Sequence, residues 1–157
     1  IYMSPGATEV IPGPDGFSSY LWTPGTNIDN PIAQNATYNG NQSEMVSFVA
    51  DYFGICTYSD TVYMLIVRLT VPGGFSPNGD LKNDFFVIPE LNYLNASLMV
   101  WNRWGDNVLN TPNYENDWNG TCQTQFCLGK ENLPEGTYFY EIKVKGLITK
   151  GSITLKR

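Results

Sequence analysis

The most regular pattern in the chain lies near its end. Tyr138, Tyr140, Ile142 and Val144 alternate with Phe139, Glu141, Lys143 and Lys145. Side chains alternate faces along a strand, so the first set is expected to face a core and the second to face outward. Gly146-Leu147 permits a tight turn. Ile153 and Leu155 then return on the inner face, while Lys150, Lys156 and Arg157 stay outside. The pattern predicts a terminal β-hairpin over 137–145 and 148–155, with one apolar face and one basic face.

Shorter β-rich runs precede it. They are Tyr20-Leu21-Trp22, Met45 to Ala50, Thr61 to Val67, Phe85 to Ile88, Leu98 to Asn102 and Asn107 to Leu109. Gly, Pro and Asn clusters separate them. Thr61 to Val67 is nearly continuous in apolar residues and reads as a strand buried on almost both faces. No stretch carries helical periodicity with caps. Aromatics make up 14% of the chain, and sixteen Asn, 15 Gly and 10 Pro supply turns. The fold class expected is all-β.

Charge divides the chain. Residues 1–68 hold six acids and one base, Arg68; residues 69–157 hold nine acids and eight bases. Five of the 9 bases are Lys143, Lys145, Lys150, Lys156 and Arg157. With the turn-rich Val71-Pro72-Gly73-Gly74, this shift places a boundary near residue 68. Two consecutive immunoglobulin-like β-sandwich domains are expected, over 1–68 and 69–157, the first shortened at its N-terminus. Ile1-Tyr2-Met3 resembles neither a start nor a signal peptide, so the chain reads as part of a longer protein.

Composition removes several classes of function. The chain has no His, which excludes Ser-His-Asp and Cys-His machinery and His-ligated zinc or haem. Its net charge of -6 argues against nucleic acid as a partner. The longest apolar run, Val62 to Val67, falls far short of the roughly 18 residues of a membrane-spanning helix. There is no G-x-S-x-G, P-loop or dinucleotide fingerprint. Nothing in the spacing of Asp106 and Asp117 supports glycoside cleavage. The chain is expected not to be an enzyme.

A few clusters could carry chemistry. Cys122 and Cys127 lie five apart with no zinc-type spacing, which favours a disulfide in an oxidising compartment. Cys56 is either a buried small apolar residue or the partner of a cysteine upstream of residue 1. Asn78, Asp80, Asn83 and Asp84 place four oxygen donors within seven residues. They suit either a calcium ion or Asx-turns that bond the local backbone. Trp104 and Trp118 could stack on sugars, which would make the chain a carbohydrate-binding or adhesive module. The alternative is that Trp101 or Trp104 packs in the core and that Arg103 pairs with a carboxylate or stacks on a ring.

From about residue 70 onward, several words occur together in order. They are Phe75-Ser-Pro77-Asn78-Gly79-Asp80, Asn83-Asp84-Phe-Phe-Val-Ile-Pro89, and Val100-Trp-Asn102-Arg103-Trp104-Gly105. Asn116-Asp-Trp118-Asn-Gly120-Thr121, Leu133-Pro-Glu-Gly136-Thr-Tyr138-Phe-Tyr140 and Gly151-Ser-Ile-Thr-Leu-Lys-Arg157 follow. In these motifs the chain resembles the gliding motility-associated C-terminal domain family. Those domains are type B C-terminal sorting signals of the type IX secretion system of the Bacteroidota. The resemblance implies export of a large cell-surface, adhesin-like protein through the periplasm and outer membrane. It also implies recognition by the translocon and by PorP/SprF-type or PorV-type outer-membrane proteins. Leu81 stands where the family commonly has Gly, which weakens the calcium reading. Residues 1–68 resemble the immunoglobulin-like or PKD-like modules that precede such signals, through Phe17-Ser-Ser-Tyr-Leu-Trp-Thr-Pro-Gly25 and Gly54-Ile-Cys-Thr-Tyr-Ser-Asp-Thr-Val62. The terminal hairpin, through Lys143, Lys145, Lys150, Ile153, Leu155, Lys156 and Arg157, is the expected partner contact.

Overall fold

A computed structural model describes residues 1–125, 127 and 132–157. The chain is all-β and divides into two compact units, Ile1–Arg68 and Leu69–Arg157. Among the described residues no helix is long and apolar enough to cross a membrane.

The first unit contains β1 (Tyr2–Met3), β2 (Glu9–Ile11), β3 (Ser19–Thr23), β4 (Ala36–Tyr38), β5 (Glu44–Tyr52) and β6 (Cys56–Ile66). One sheet has the order β1-β6-β5-β3, and β2 pairs with β4 in a second. Met3, Trp22, Val46, Met64 and Ile66 from the larger sheet pack with Ile11, Ala36 and Tyr38 from the smaller. Burying each large apolar side chain of this kind contributes about 1.5–3 kcal/mol. The Trp22 indole N–H donates to Ala33 O at 2.8 Å, so the largest core residue leaves no polar atom unpaired. The expectation of double burial for Thr61 to Val67 is corrected. Met64, Ile66 and Val67 are buried, but Thr61 and Tyr63 are exposed. The second sheet covers one face of β6 only, so the segment has one core face.

The second unit contains β7 (Gly74–Phe75), β8 (Ala96–Trp101), β9 (Asn107–Thr111), β10 (Gly136–Val144) and β11 (Leu147–Leu155). They form one sheet in the order β7-β11-β10-β8-β9. The β10–β11 hairpin runs in unbroken antiparallel register from Gly136 opposite Leu155 to Val144 opposite Leu147. Lys145 and Gly146 turn it with φ of 50° and 86°, the left-handed pair that matches strand twist in a two-residue hairpin. Leu98, Val100, Tyr138, Tyr140, Ile142, Val144, Ile153 and Leu155 line the inner face and are buried. A Cβ on Gly151 would strike the Tyr140 hydroxyl, so the ring needs a residue without a side chain opposite it.

The layer covering this sheet is irregular chain. Phe86, Ile88, Leu91, Tyr114 and Trp118 are its buried anchors. Phe86 lies 5.9 Å from Tyr140, and Trp118 lies 6.3 Å from Tyr138, centroid to centroid. The strand expected at Phe85 to Ile88 is not one. The segment alternates as a strand does, with Phe86 and Ile88 inward and Phe85 and Val87 exposed. Its amides, however, bond to a loop: Phe86 N–H donates to Trp118 O at 2.9 Å, and Ile88 N–H to Asn116 Oδ1 at 2.8 Å. A side-chain amide thus stands where a neighbouring strand's carbonyl would be.

Candidate functional site

The motif residues of the second unit gather into three structures. The first is the turn that follows Phe75. Asp84 accepts from Gly79 N at 2.8 Å and from Leu81 N at 2.9 Å, one amide to each carboxylate oxygen. Asp80 Oδ1 accepts from Lys82 N at 2.8 Å, and Asn78 Oδ1 accepts from Asp80 N at 3.1 Å. Asn83 sits at φ 52°, and its carbonyl accepts from Ser76 N at 2.7 Å. The bonds to Asn78 and Asp80 are Asx-turns, and the Asp84 carboxylate ties two further amides, so three of the four side chains hold the backbone of a tight loop. Leu81 has φ 67°, a conformation in which Gly is the usual residue. Pro77 and Gly79, at φ 82°, lie in the same turn. Among the described residues, no group of three or more His, Cys, Asp or Glu side chains is placed to hold a metal ion.

The second structure connects β8 to β9. Asn102 Oδ1 accepts from both Trp104 N and Asp106 N at 2.9 Å, and Asn102 Nδ2 donates to Asp106 Oδ2 at 2.9 Å. Gly105 completes the turn at φ 89°. This fixed loop presents Trp104 at 69% exposure, with the Arg103 guanidinium 4.2 Å from its ring centre. Trp104 therefore does not pack in the core, and Arg103 stacks on it. Pro134, Glu135, Gly136 and Tyr138 line a small cleft beside this pair.

The third structure is inside. Trp118 is fully buried, 5.2 Å from Phe75, and its indole N–H donates to Thr121 O at 2.8 Å. It cannot stack on a sugar in the folded domain, which corrects its place in the carbohydrate reading. Gly120 follows at φ 74°, and a Cβ there would strike Leu155. Tyr114 is buried, and its hydroxyl donates to Phe86 O. Burial pushes this phenol far above its ordinary pKa, and burial also raises Tyr138 and Tyr140.

The hairpin residues proposed for a partner separate into two groups. Ile153 and Leu155 are corrected: both have no exposure and belong to the core. Arg157 is also corrected, because its guanidinium turns back into its own domain. It donates to Leu133 O, to Gly120 O at 3.0 Å and to Asn132 Oδ1 at 3.4 Å, and its amide donates to Glu135 Oε1 at 2.8 Å. Lys143 and Lys156 are exposed, Lys145 sits in the turn, and Lys150 pairs with Glu141 at 2.8 Å. The outward face also carries Phe139, 49% exposed, opposite Trp101 in register. Ile148, also exposed, lies opposite Lys143. A shallow groove runs between Trp101, Phe139, Glu141, Lys150 and Ser152. Phe139 was not among the candidate residues, and Trp101, expected in the core if Trp104 was not, is instead half-exposed on this outward face. The signal for them was the β alternation itself, which sets an aromatic among the polar positions of two strands.

Cys122 is buried and joined by a disulfide to Cys127, with Cα atoms 6.1 Å apart. The chain after Cys122 lies along the outer edge of β9: Gln123 N donates to Val108 O at 2.9 Å, and Thr124 Oγ1 to Asn107 O at 2.6 Å. This covers an edge that would otherwise be open to strand pairing. Cys56, expected either buried or bonded upstream, is exposed at the start of β6, so the buried reading is corrected.

Comparison with curated proteins finds no match. Among solved structures, the chain is similar to Drosophila OTK, extracellular domains 3-5, at 11% identity and a TM-score of 0.42. That alignment covers 100% of this chain and 58% of the other, so the chain spans little more than half of it. A Bacteroides ovatus mixed-linkage glucan utilization locus protein, SGBP-B in complex with a mixed-linkage heptasaccharide, aligns at 17% identity and a TM-score of 0.32. It covers 99% of this chain and 42% of the other. Residues 69–155, more than half of the chain and nearly all of the second unit, match the family described as the CHU_C Type IX secretion signal domain. The chain belongs to the CHU_C type IX secretion signal domain family.

Proposed function

We propose that residues 69–157 are the sorting signal of a larger exported protein. The signal would stand at that protein's C-terminal end and direct it through the type IX secretion system to the exterior or the cell surface. Residues 1–68 would be a spacer module before it. The reading involves no catalytic step. The observation that carries it is the family match over 69–155, which falls on one compact unit.

Partner recognition is assigned to the outward face of β8, β10 and β11. Phe139 and Trp101 supply an apolar centre, the Lys150–Glu141 pair lines the same groove, and Lys143 lies further along the same face of β10 as an exposed charge. An exposed aromatic ringed by polar residues is the usual form of an interface anchor. The bases suit acidic surfaces on an outer-membrane translocon protein or on a PorP/SprF-type or PorV-type partner.

The test fuses residues 69–157 to a reporter bearing a signal peptide, in a host with an intact type IX system. Export of the reporter to the medium or surface is expected. Export should fall in Phe139→Ser and in the double variant Lys143→Glu/Lys150→Glu, with melting temperatures close to the parent. A folded fusion that stays in the periplasm would refute the reading. Export unaffected by these substitutions would move the contact off this face.

A further inference from the structure

The irregular layer of the second unit leaves a main-chain edge open. In an extended chain the N–H and C=O groups of alternate residues point to the same side. Phe86 and Ile88 use theirs. Phe86 N–H donates to Trp118 O at 2.9 Å, and its carbonyl accepts from the Tyr114 hydroxyl. The Asn116 side chain bonds both the amide and the carbonyl of Ile88, at 2.8 and 3.2 Å. Phe85 and Val87 therefore turn their main-chain groups the other way. Among the described residues nothing in the chain bonds to those groups.

They open onto a groove of about 320 Å³, lined by Pro72, Gly74, Phe75, Leu81, Phe85 and Val87. The opposite wall is the free edge of β7. The carbonyls of Gly73 and Phe75 accept from Thr154 N at 3.0 Å and Lys156 N at 3.1 Å, so Gly74 points its own groups away from β11. Ser76 N donates to Asn83 O at 2.7 Å and joins the two walls at one end. Among the described residues no backbone bond crosses from Gly74 to Phe85 or Val87. Pro89 has no N–H and stops the open edge at the other end. The side chains around it are apolar and exposed, Leu81 by 93%, Phe85 by 47% and Val87 by 43%.

The lining selects the occupant. An apolar tail or ring would fill the groove but leave its backbone donors and acceptors dry and unpaired. A cation finds no free carboxylate there, since both Asp84 oxygens already accept amides. An extended main chain carries N–H and C=O groups at the matching alternate spacing, with side chains between them. A second copy of this chain is a poor source. The groove is concave, and a two-fold contact needs a surface complementary to itself. The outer edge of β9 is already covered by Gln123 and Thr124. We propose that the groove receives an extended segment of a partner polypeptide. The segment pairs as an added strand with Phe85 and Val87 and seats an apolar side chain against Leu81 and Phe75. The site is separate from the outward face of β8, β10 and β11 and does not rest on the secretion reading.

The experiment selects phage-displayed random heptapeptides on the 157-residue chain and titrates it with a synthetic copy of the enriched sequence. Saturable binding is expected, with amide exchange at Phe85 and Val87 slowed by about tenfold or more in the complex. Methylating alternate backbone nitrogens of the peptide should abolish binding. Leu81→Gly removes a wall of the groove but suits φ 67°, so it should leave the melting temperature unchanged or higher while weakening binding about tenfold. Val87→Lys should weaken it similarly. The proposal is overturned if no sequence is enriched, if exchange at Phe85 and Val87 is unchanged by the bound peptide, or if neither substitution alters binding. It is equally overturned if the property Val87→Lys abolishes is self-association in ultracentrifugation.

Discussion

Arg157 offers a sharp test, because its charge and its shape make different predictions. A residue that serves as a basic contact for a partner can be replaced by Lys. A residue that ties loops together cannot. The guanidinium reaches three acceptors on two segments, Leu133 O, Gly120 O and Asn132 Oδ1. A planar fork with five donors can do this, and a single ammonium on a flexible stem cannot. A hydrogen bond from a charged donor is worth about 1.5–3 kcal/mol when buried, and the exposure of Arg157 reduces this to a total of about 1–2 kcal/mol for the group. A loss of 1 kcal/mol lowers the melting temperature of a domain this size by about 4–8 °C. The expectation is that Arg157→Lys and Arg157→Gln both melt lower than the parent by calorimetry, with Lys recovering less than half of the loss. Amide exchange at Leu133 and Leu155 should quicken in both. Full recovery of stability in Arg157→Lys would refute the argument and return Arg157 to the set of partner-facing charges.

Three further outcomes are expected. Trp118→Ala should destabilise the second unit by about 3–5 kcal/mol in urea titration, while Trp104→Ala stays within about 0.5 kcal/mol; equal costs would contradict the burial assignment. Glu90 is held below its ordinary pKa of 4.5 by hydrogen bonds from the Thr70 amide and then the Thr70 hydroxyl. A depressed carboxylate stabilises the fold above its unfolded pKa and loses that contribution as pH falls through its folded value. The melting-temperature gap between the parent and Glu90→Gln should thus be full at pH 7, start to close below about 4.5 and vanish in stronger acid; a gap independent of pH would contradict it. Because the Asp80 and Asp84 oxygens already bond the loop's own amides, a calcium chelator should leave the melting temperature unchanged, and a fall of several degrees would show that an ion is held there.

The periodic features were legible in the sequence because local geometry fixes them. Alternation over 138–144 can satisfy a strand with one wet face and little else, and that is what β10 and β11 form. The motif words of the second unit identify its family for a related reason: Asn102 with Gly105, and Asn78 with Asp84, encode turns through bonds among near neighbours. The all-β class follows from the same local signals. Environment was not legible, because residue type does not say which side of a layer a chain segment occupies. Trp118 and Trp104 look alike in sequence, yet one is sealed beneath Phe75 and the other stands in water. Phe85 to Ile88 has a strand's pattern but meets a loop, so its amides find Asn116 instead of a ladder. Arg157 reads as a loose charge at the end of the chain; only the fold brings carbonyls from residues 120 and 133 within its reach. The sequence alone determined the hairpin, the turns and the family, whose bonds span a few residues or a strict period. Tertiary structure decided which aromatics and which bases face outward, since that depends on contacts between segments far apart in the chain.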